Sequence, residues 1–317
     1  MKPLVKGITP SEKFSHPHLT ADGEPRASVE LRVLKTLWFN TGTLCNIACD
    51  NCYIESTPKN DRLSYLTTNE VNCFLDEIRS DELATEEIGI TGGEPFMNPD
   101  IVDIMQACLS RGFRLLVLTN AMRPMMRPRM QAALLDLHKR FGEQLTLRVS
   151  VDHFNPQLHE QERGANTWQP MLMGLKWLTL NGLHIDIAGR TRWGESEAQL
   201  RQGFADLFAR QGIAVDAYDK KRLMLFPEMD ATAQVPEITE ACWDILGASP
   251  ENLMCANARM VVKHKGASAP SVMACTLLAY DQRFDLGSSL AAAHTAVPLN
   301  HPHCAKFCVL GGGSCSA

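Results

Sequence analysis

The chain has no run of some eighteen apolar residues, the length a helix needs to cross a bilayer. Its first eighteen residues, MKPLVKGITPSEKFSHPH, hold neither a long apolar core nor a small-residue cleavage site, so they do not read as a secretory signal. A basic excess is also missing. Lys and Arg number 31 against 36 Asp and Glu, a net charge of -5, which gives no footprint for nucleic acid and no attraction to anionic membranes. Internal repeats and low-complexity tracts are absent too. These absences predict a cytoplasmic protein without a nucleic-acid or membrane partner.

What the chain does have is cysteine, eleven in 317 residues of which 45% are hydrophobic. That apolar content builds a full-sized core, as one large domain or one domain with a small appendage. The odd cysteine count, the length and the lack of an export signal argue against a disulfide framework. In a reducing compartment clustered cysteines more often bind metal, and two groups stand out. One is Cys45, Cys49 and Cys52; the other is Cys255, Cys275, Cys304, Cys308 and Cys315. Cys73, Cys108 and Cys242 each stand alone in an apolar helical pattern and are expected to pack as small buried hydrophobes.

Residues 1–32 are polar and aperiodic and read as an irregular lead-in. From residue 33 short apolar runs alternate with longer helical patterns. Strands are predicted at 33–39, 87–91, 114–118, 145–151, 184–188 and 222–226. Helices are predicted at about 67–79, 100–111, 129–141, 168–181 and 195–211, the first capped by Thr68 or Asn69. Successive βα units imply a parallel sheet, because parallel strands need crossover connections. Whether the sheet closes is not legible. Past Phe226 the rhythm stops, which sets three regions: a lead-in at 1–32, an α/β unit at 33–228 and a cysteine-rich C-terminal lobe at 229–317.

Cys45-Asn-Ile-Ala-Cys49-Asp-Asn-Cys52 follows the first strand directly. So short a loop can wrap one face of an iron–sulfur cube and give three thiolates to three irons. The fourth iron then has no local cysteine and stays open for a ligand that is not protein, the logic of a catalytic centre. On spacing alone, a zinc site with a remote fourth ligand is the alternative.

The C-x₃-C-x₂-C loop after the first strand resembles the defining motif of the radical S-adenosylmethionine (SAM) superfamily, and the resemblance runs from residue 33 to about 228. The second strand ends in Gly92-Gly93-Glu94-Pro95, similar to that family's GGE turn, which receives the amino group of SAM. Two glycines expose backbone polar groups, and a carboxylate suits an ammonium. Thr119-Asn120 after the third strand is similar to the family's T-N-G turn, with Ala121 in place of glycine. Ser150 and Asp152 end the fourth strand, where relatives place polar groups near the ribose or carboxylate of SAM. Arg190 after the fifth looks like the arginine that binds the SAM carboxylate. Asn51 stands where many relatives carry an aromatic over the adenine; Tyr53 follows instead.

The resemblance implies a partial (β/α)6 TIM-like barrel with its chemistry at the strand C-terminal ends. It also implies a [4Fe-4S] cluster on Cys45, Cys49 and Cys52 that cleaves SAM reductively. The resulting 5′-deoxyadenosyl radical takes hydrogen from a substrate. Cys255 and Cys275, with Cys304 and Cys308 or Cys315, resemble a SPASM or twitch extension holding a second, auxiliary [4Fe-4S] cluster; a structural zinc site using His301 or His303 is the alternative. Peptide modification is slightly preferred over a small metabolite, with a flavodoxin- or ferredoxin-type electron donor as partner. From a different class, a non-catalytic Fe–S electron carrier or zinc-binding module would need neither the GGE turn nor an open iron. His153, His159 and Arg163 crowd the loop after the fourth strand, as substrate or acid–base groups or as a solvated loop with helix caps.

Overall fold

The structure is a computed structural model that describes residues 12–228 and 234–312. After a two-residue strand β1 (Ser28–Val29), six strands lie side by side in chain order and run parallel. They are β2 (Thr36–Asn40), β3 (Glu87–Thr91), β4 (Arg114–Thr119), β5 (Leu145–Asp152), β6 (His184–Arg190) and β7 (Leu223–Phe226). The crossovers are α1 (Thr68–Ser80), α2 (Ile101–Ser110), α3 (Pro128–Phe141), a short α4 (Pro156–Arg163), α5 (Trp168–Leu180) and α6 (Glu197–Gln211). Boundaries agree with the sequence pattern to within about three residues, except at α4, where the pattern predicts a loop. The cap of α1 is Thr67, not Thr68 or Asn69: its hydroxyl accepts the Glu70 N–H, and Glu70 accepts the Thr67 N–H at 2.9 Å.

Strand alternation sorts the side chains into two layers. Leu145, Leu147, Val149 and Val151 of β5 face the helices and join the large apolar core. Arg148, Ser150 and Asp152 point the other way and line a recess inside the sheet. The same alternation in β2 sends Leu37 and Phe39 outward and Trp38 inward. Gly89 makes room for that indole: a Cβ there would stand 2.3 Å from the Trp38 ring.

Beyond β7 the chain crosses to the far edge and adds two strands that the sequence rhythm did not announce. β8 (Ala258–Val262) pairs parallel with β2, and β9 (Ser271–Met273) pairs antiparallel with β8. The order β7-β6-β5-β4-β3-β2-β8-β9 does not return on itself, so the barrel is partial. β8 is buried along its whole length and shows no alternation, which is why it carries no period-2 signal. The C-terminal region thus shares one sheet with the α/β unit. The lead-in is pinned to the same region: β1 pairs with β10 (Val297–Pro298), and Arg26 forms a buried ion pair with Glu237.

Cys108 is fully buried and Cys242 partly so, but Cys73 is exposed, which corrects the expectation of packing. α1 buries Val71, Phe74, Leu75 and Ile78, and Cys73 falls beside that stripe rather than on it.

Candidate active site

The loop leaving β2 is held from both sides before it reaches the thiols. Gly93 N–H donates to Gly42 O at 2.9 Å and Glu94 N–H to Leu44 O at 3.1 Å, so the β3 turn packs directly on the loop. From the other side, Glu162 of α4 receives the Asp50 N–H on its carbonyl at 2.8 Å and the Asn51 N–H on its carboxylate at 3.1 Å. Arg190 donates to Asn51 O at 3.2 Å. Asn120 ties the β4 turn to the loop through Asn46 Oδ1 at 2.9 Å, and its amide stands 3.9 Å from Cys45 Sγ.

Cys45, Cys49 and Cys52 line one open recess of about 610 Å³ together with Gly92, Gly93, Asn120, Ser150 and Arg190. Tyr53 and Arg163 complete its wall towards a second recess of about 700 Å³ inside the barrel. Of the predicted residues, Glu94 and Asp152 stand behind this wall. Asp152 sits at a register shift of β5 with φ +57°, a bulge that re-aims its carboxylate. It lies 2.6 Å from Arg163 and 3.5 Å from Arg190. Burial alone would raise its pKa, but the two guanidiniums hold it below the ordinary carboxylate range. Arg190 also lies 3.4 Å from Glu162, and its buried Nη1 has no aligned hydrogen-bond acceptor.

Neither histidine of the following loop reaches a recess. His153 bridges the Asn155 N–H and Glu195, and His159 is buried against Trp168 with Nδ1 on Val151 O. Burial pushes His159 down to about 4, so it stays neutral at physiological pH. Arg163 alone of that trio faces the site.

Glu94 is 2% exposed and accepts hydrogen bonds from Asn120 N–H at 2.8 Å and the Thr119 hydroxyl at 2.9 Å. It holds the turn that carries Asn120. Burial lifts its carboxyl to about 7 from 4.5, against those donors. A raised acid contributes stability that is full below its ordinary pKa and lost as pH rises through the folded value. Metal-free protein is therefore expected to lose up to about 3 kcal/mol between pH ~4.5 and pH ~7 from this group. Denaturant titrations across that window should show the slope, and Glu94→Gln should flatten it.

In the C-terminal region Cys255, Cys275, Cys304 and Cys308 line a third recess, with His303 at its edge. Cys315 lies outside the described residues. Leu277 belongs to both this recess and the barrel recess, so the barrel interior lies between the two cysteine groups. No local sequence signal marks Trp38, Phe226, Thr276, Leu277 or Phe307 as walls of that interior. Among the described residues no three His, Cys, Asp or Glu side chains converge as one metal ion requires. An iron–sulfur cube asks for thiolates spread over separate irons.

Residues 39–190 match the family described as the Radical SAM superfamily. Residues 39–190 therefore form a radical SAM domain. It is 26% identical over 145 residues to the antilisterial bacteriocin subtilosin biosynthesis protein AlbA of Bacillus subtilis, covering 45% of this chain and 30% of AlbA. It is 31% identical over 137 residues to the AdoMet-dependent heme synthase of Methanosarcina barkeri, covering 42% of this chain and 36% of that protein. The chain thus spans about a third of the length of these curated relatives. Streptococcus suis SuiB, solved with S-adenosylmethionine bound, shares the fold with a TM-score of 0.58 at 13% identity, over 81% of this chain and 63% of SuiB.

A radical SAM domain implies SAM and a [4Fe-4S] cluster, and the residues present suit both. Burial pushes the Cys45 thiol up to about 12 and raises Cys49, so a strong cation such as cluster iron would be needed to hold them as thiolates. The unaligned Nη1 of Arg190 and the bare backbone of Gly92 and Gly93 suit a carboxylate and an ammonium.

Proposed function

We propose that Cys45, Cys49 and Cys52 hold the [4Fe-4S] cluster of this radical SAM enzyme and that SAM lies against Gly92, Gly93, Asn120, Ser150 and Arg190. The observation that carries the reading is one recess gathering all eight residues from the C-terminal ends of five strands. Bound there, cluster and SAM supply reductive cleavage of the SAM C5′–S bond and the radical that takes hydrogen from substrate. The protein's part is binding and orientation. Arg190 meets the SAM carboxylate, kept in place by Asp152 and Glu162. Ser150 presents its hydroxyl near the ribose. Glu94, expected from the motif as the ammonium partner, acts through the Thr119–Asn120 turn it supports, and Gly92 and Gly93 offer the direct backbone contacts.

Substrate is assigned to the barrel recess. Its walls are mostly apolar, with Trp38, Phe226 and Phe307 beside Arg148, and its size suits a small molecule or one peptide side chain. Cys255, Cys275, Cys304 and Cys308 are assigned to an auxiliary [4Fe-4S] cluster on its far side, supported by their shared recess. Relatives with an auxiliary cluster often modify peptides, and the match to AlbA favours the same class here. The match to a heme synthase supports the second reading, a small metabolite. A cytoplasmic location and a flavodoxin- or ferredoxin-type electron donor go with this chemistry.

Anaerobic reconstitution tests the assignment. About eight irons per chain and release of 5′-deoxyadenosine with dithionite are expected, falling to about four irons and no release in Cys45→Ala/Cys49→Ala/Cys52→Ala. About four irons in an active wild type would remove the auxiliary cluster and leave the enzyme. Zinc in place of iron, with no SAM cleavage, would return the chain to a zinc-binding module.

A further inference from the structure

Arg259 in β8 is 1% exposed, among the largest fully buried side chains of the protein. Its guanidinium donates to four carbonyls: Cys255 at 2.6 Å, Ala258 at 2.9 Å, Ala293 at 3.0 Å and Thr295 at 2.9 Å. These satisfy its hydrogen bonds but not its charge. Among the described residues it forms no ion pair, whereas the other buried arginines do. A buried cation without an anion is costly, and native proteins pair such charges or place them beside a metal centre.

Its neighbourhood says which anion is missing. Three arginines act electrostatically on the C-terminal thiols: Arg26 and Arg283 on Cys304, and Arg259 on Cys255 and Cys275. Arg26 is neutralised by Glu237 and Arg283 by Asp281. Arg259 is the member of this trio with no carboxylate of its own, and it is hydrogen-bonded directly to the backbone of Cys255.

We infer that Arg259 is the counter-charge of the auxiliary cluster and sets its reduction potential. The inference rests on the reading of Cys255, Cys275, Cys304 and Cys308 as a cluster site. A cluster held by four thiolates is an anion, and one-electron reduction by dithionite adds a further negative charge with no bond made or broken. A fixed, dry positive charge one peptide away stabilises the reduced form more than the oxidised one. Arg259 does so without touching the irons, which makes it a positioning residue.

The test uses Cys45→Ala/Cys49→Ala/Cys52→Ala as background, so that the C-terminal cluster is the one observed, and titrates its EPR signal against potential. Iron must first be present; a background protein without iron overturns the cluster reading itself, separately from the role of Arg259. Given iron, Arg259→Gln is expected to shift the reduction equilibrium at least tenfold towards the oxidised form, about 59 mV for one electron. Arg259→Lys keeps the charge, loses the fork and is expected to hold the parent potential. Failure of Arg259→Gln to load iron, with normal loading and potential in Arg259→Lys, also supports the charge. Unchanged potentials in both variants, or equal shifts or equal iron loss in both, would overturn it and leave Arg259 as a clamp on four carbonyls.

Discussion

Glu162→Ala is expected to lower stability by about 3–5 kcal/mol and to leave the Cys45–Cys52 loop without iron. Glu162 is wholly buried, and its carboxylate meets Arg190 at 3.4 Å, Arg192 at 2.5 Å and the Asn51 N–H at 3.1 Å. Alanine would remove one anion from between two guanidiniums, each left with a single carboxylate. Breaking a buried pair by deleting one partner is the costly direction, since the remaining charge has been desolvated already. Arg192 keeps its existing ion pair with the exposed Asp50 at 3.1 Å, so its share of the loss is the smaller. Arg190 would keep only the looser contact with Asp152 and would no longer hold Asn51 in place. The loop between Cys49 and Cys52 would then lose its fastening to α4. Urea titration and iron analysis of the same preparation check this. Glu162→Gln, which keeps the shape and one acceptor, should fall between alanine and wild type in both. A wild-type denaturation midpoint with full iron in Glu162→Ala would show that the loop is held from the β3 side alone.

The same residue shows where sequence reading stops. The cysteine triplet was legible because ligand spacing is local, and the strand-end residues Ser150 and Arg190 were legible through the family resemblance, which ties site residues to strand ends. Glu162 could be named beside the site mouth but its contacts could not, because its partners Asn51 and Arg192 are 111 and 30 positions away. The loop signal of Asn155-Pro156 also concealed that α4 begins there, with Asn155 capping Gln157 and Leu158. Glu94 illustrates a subtler limit: the motif gives its neighbourhood but not its direction, and its carboxylate is turned inward to Thr119 and Asn120. Past residue 228 even secondary structure was hidden. β8 is short and buried on both faces, and Arg259 inside it reads as an interruption of an apolar run rather than as a buried cation.

Gly93→Ala is the second change with a large expected effect, and its cause is steric. A Cβ at this position would stand 2.2 Å from Leu44 O, 2.6 Å from Leu44 C and 2.7 Å from Thr43 O. All three are backbone atoms, so no rotamer change relieves the clash. Gly93 does not have a positive φ, and the penalty therefore comes from the added carbon rather than from backbone conformation. Either the β3 turn or the cysteine loop must retreat, breaking the hydrogen bonds from Gly93 to Gly42 and from Glu94 to Leu44. Overpacking of this kind costs about 1–3 kcal/mol or more. A displacement of about 1 Å between SAM and cluster would lower SAM cleavage by about 100-fold. Gly89→Ala serves as the comparison, since its Cβ would strike the Trp38 side chain at 2.3 Å. A smaller residue at position 38 should restore stability to Gly89→Ala, as Trp38→Leu removes the obstructing ring. No side-chain change at 43 or 44 should rescue Gly93→Ala, because the obstruction is the chain itself. Rescue of Gly93→Ala by Leu44→Ala would mean that the two segments are held together by side chains and not by the close approach of their backbones.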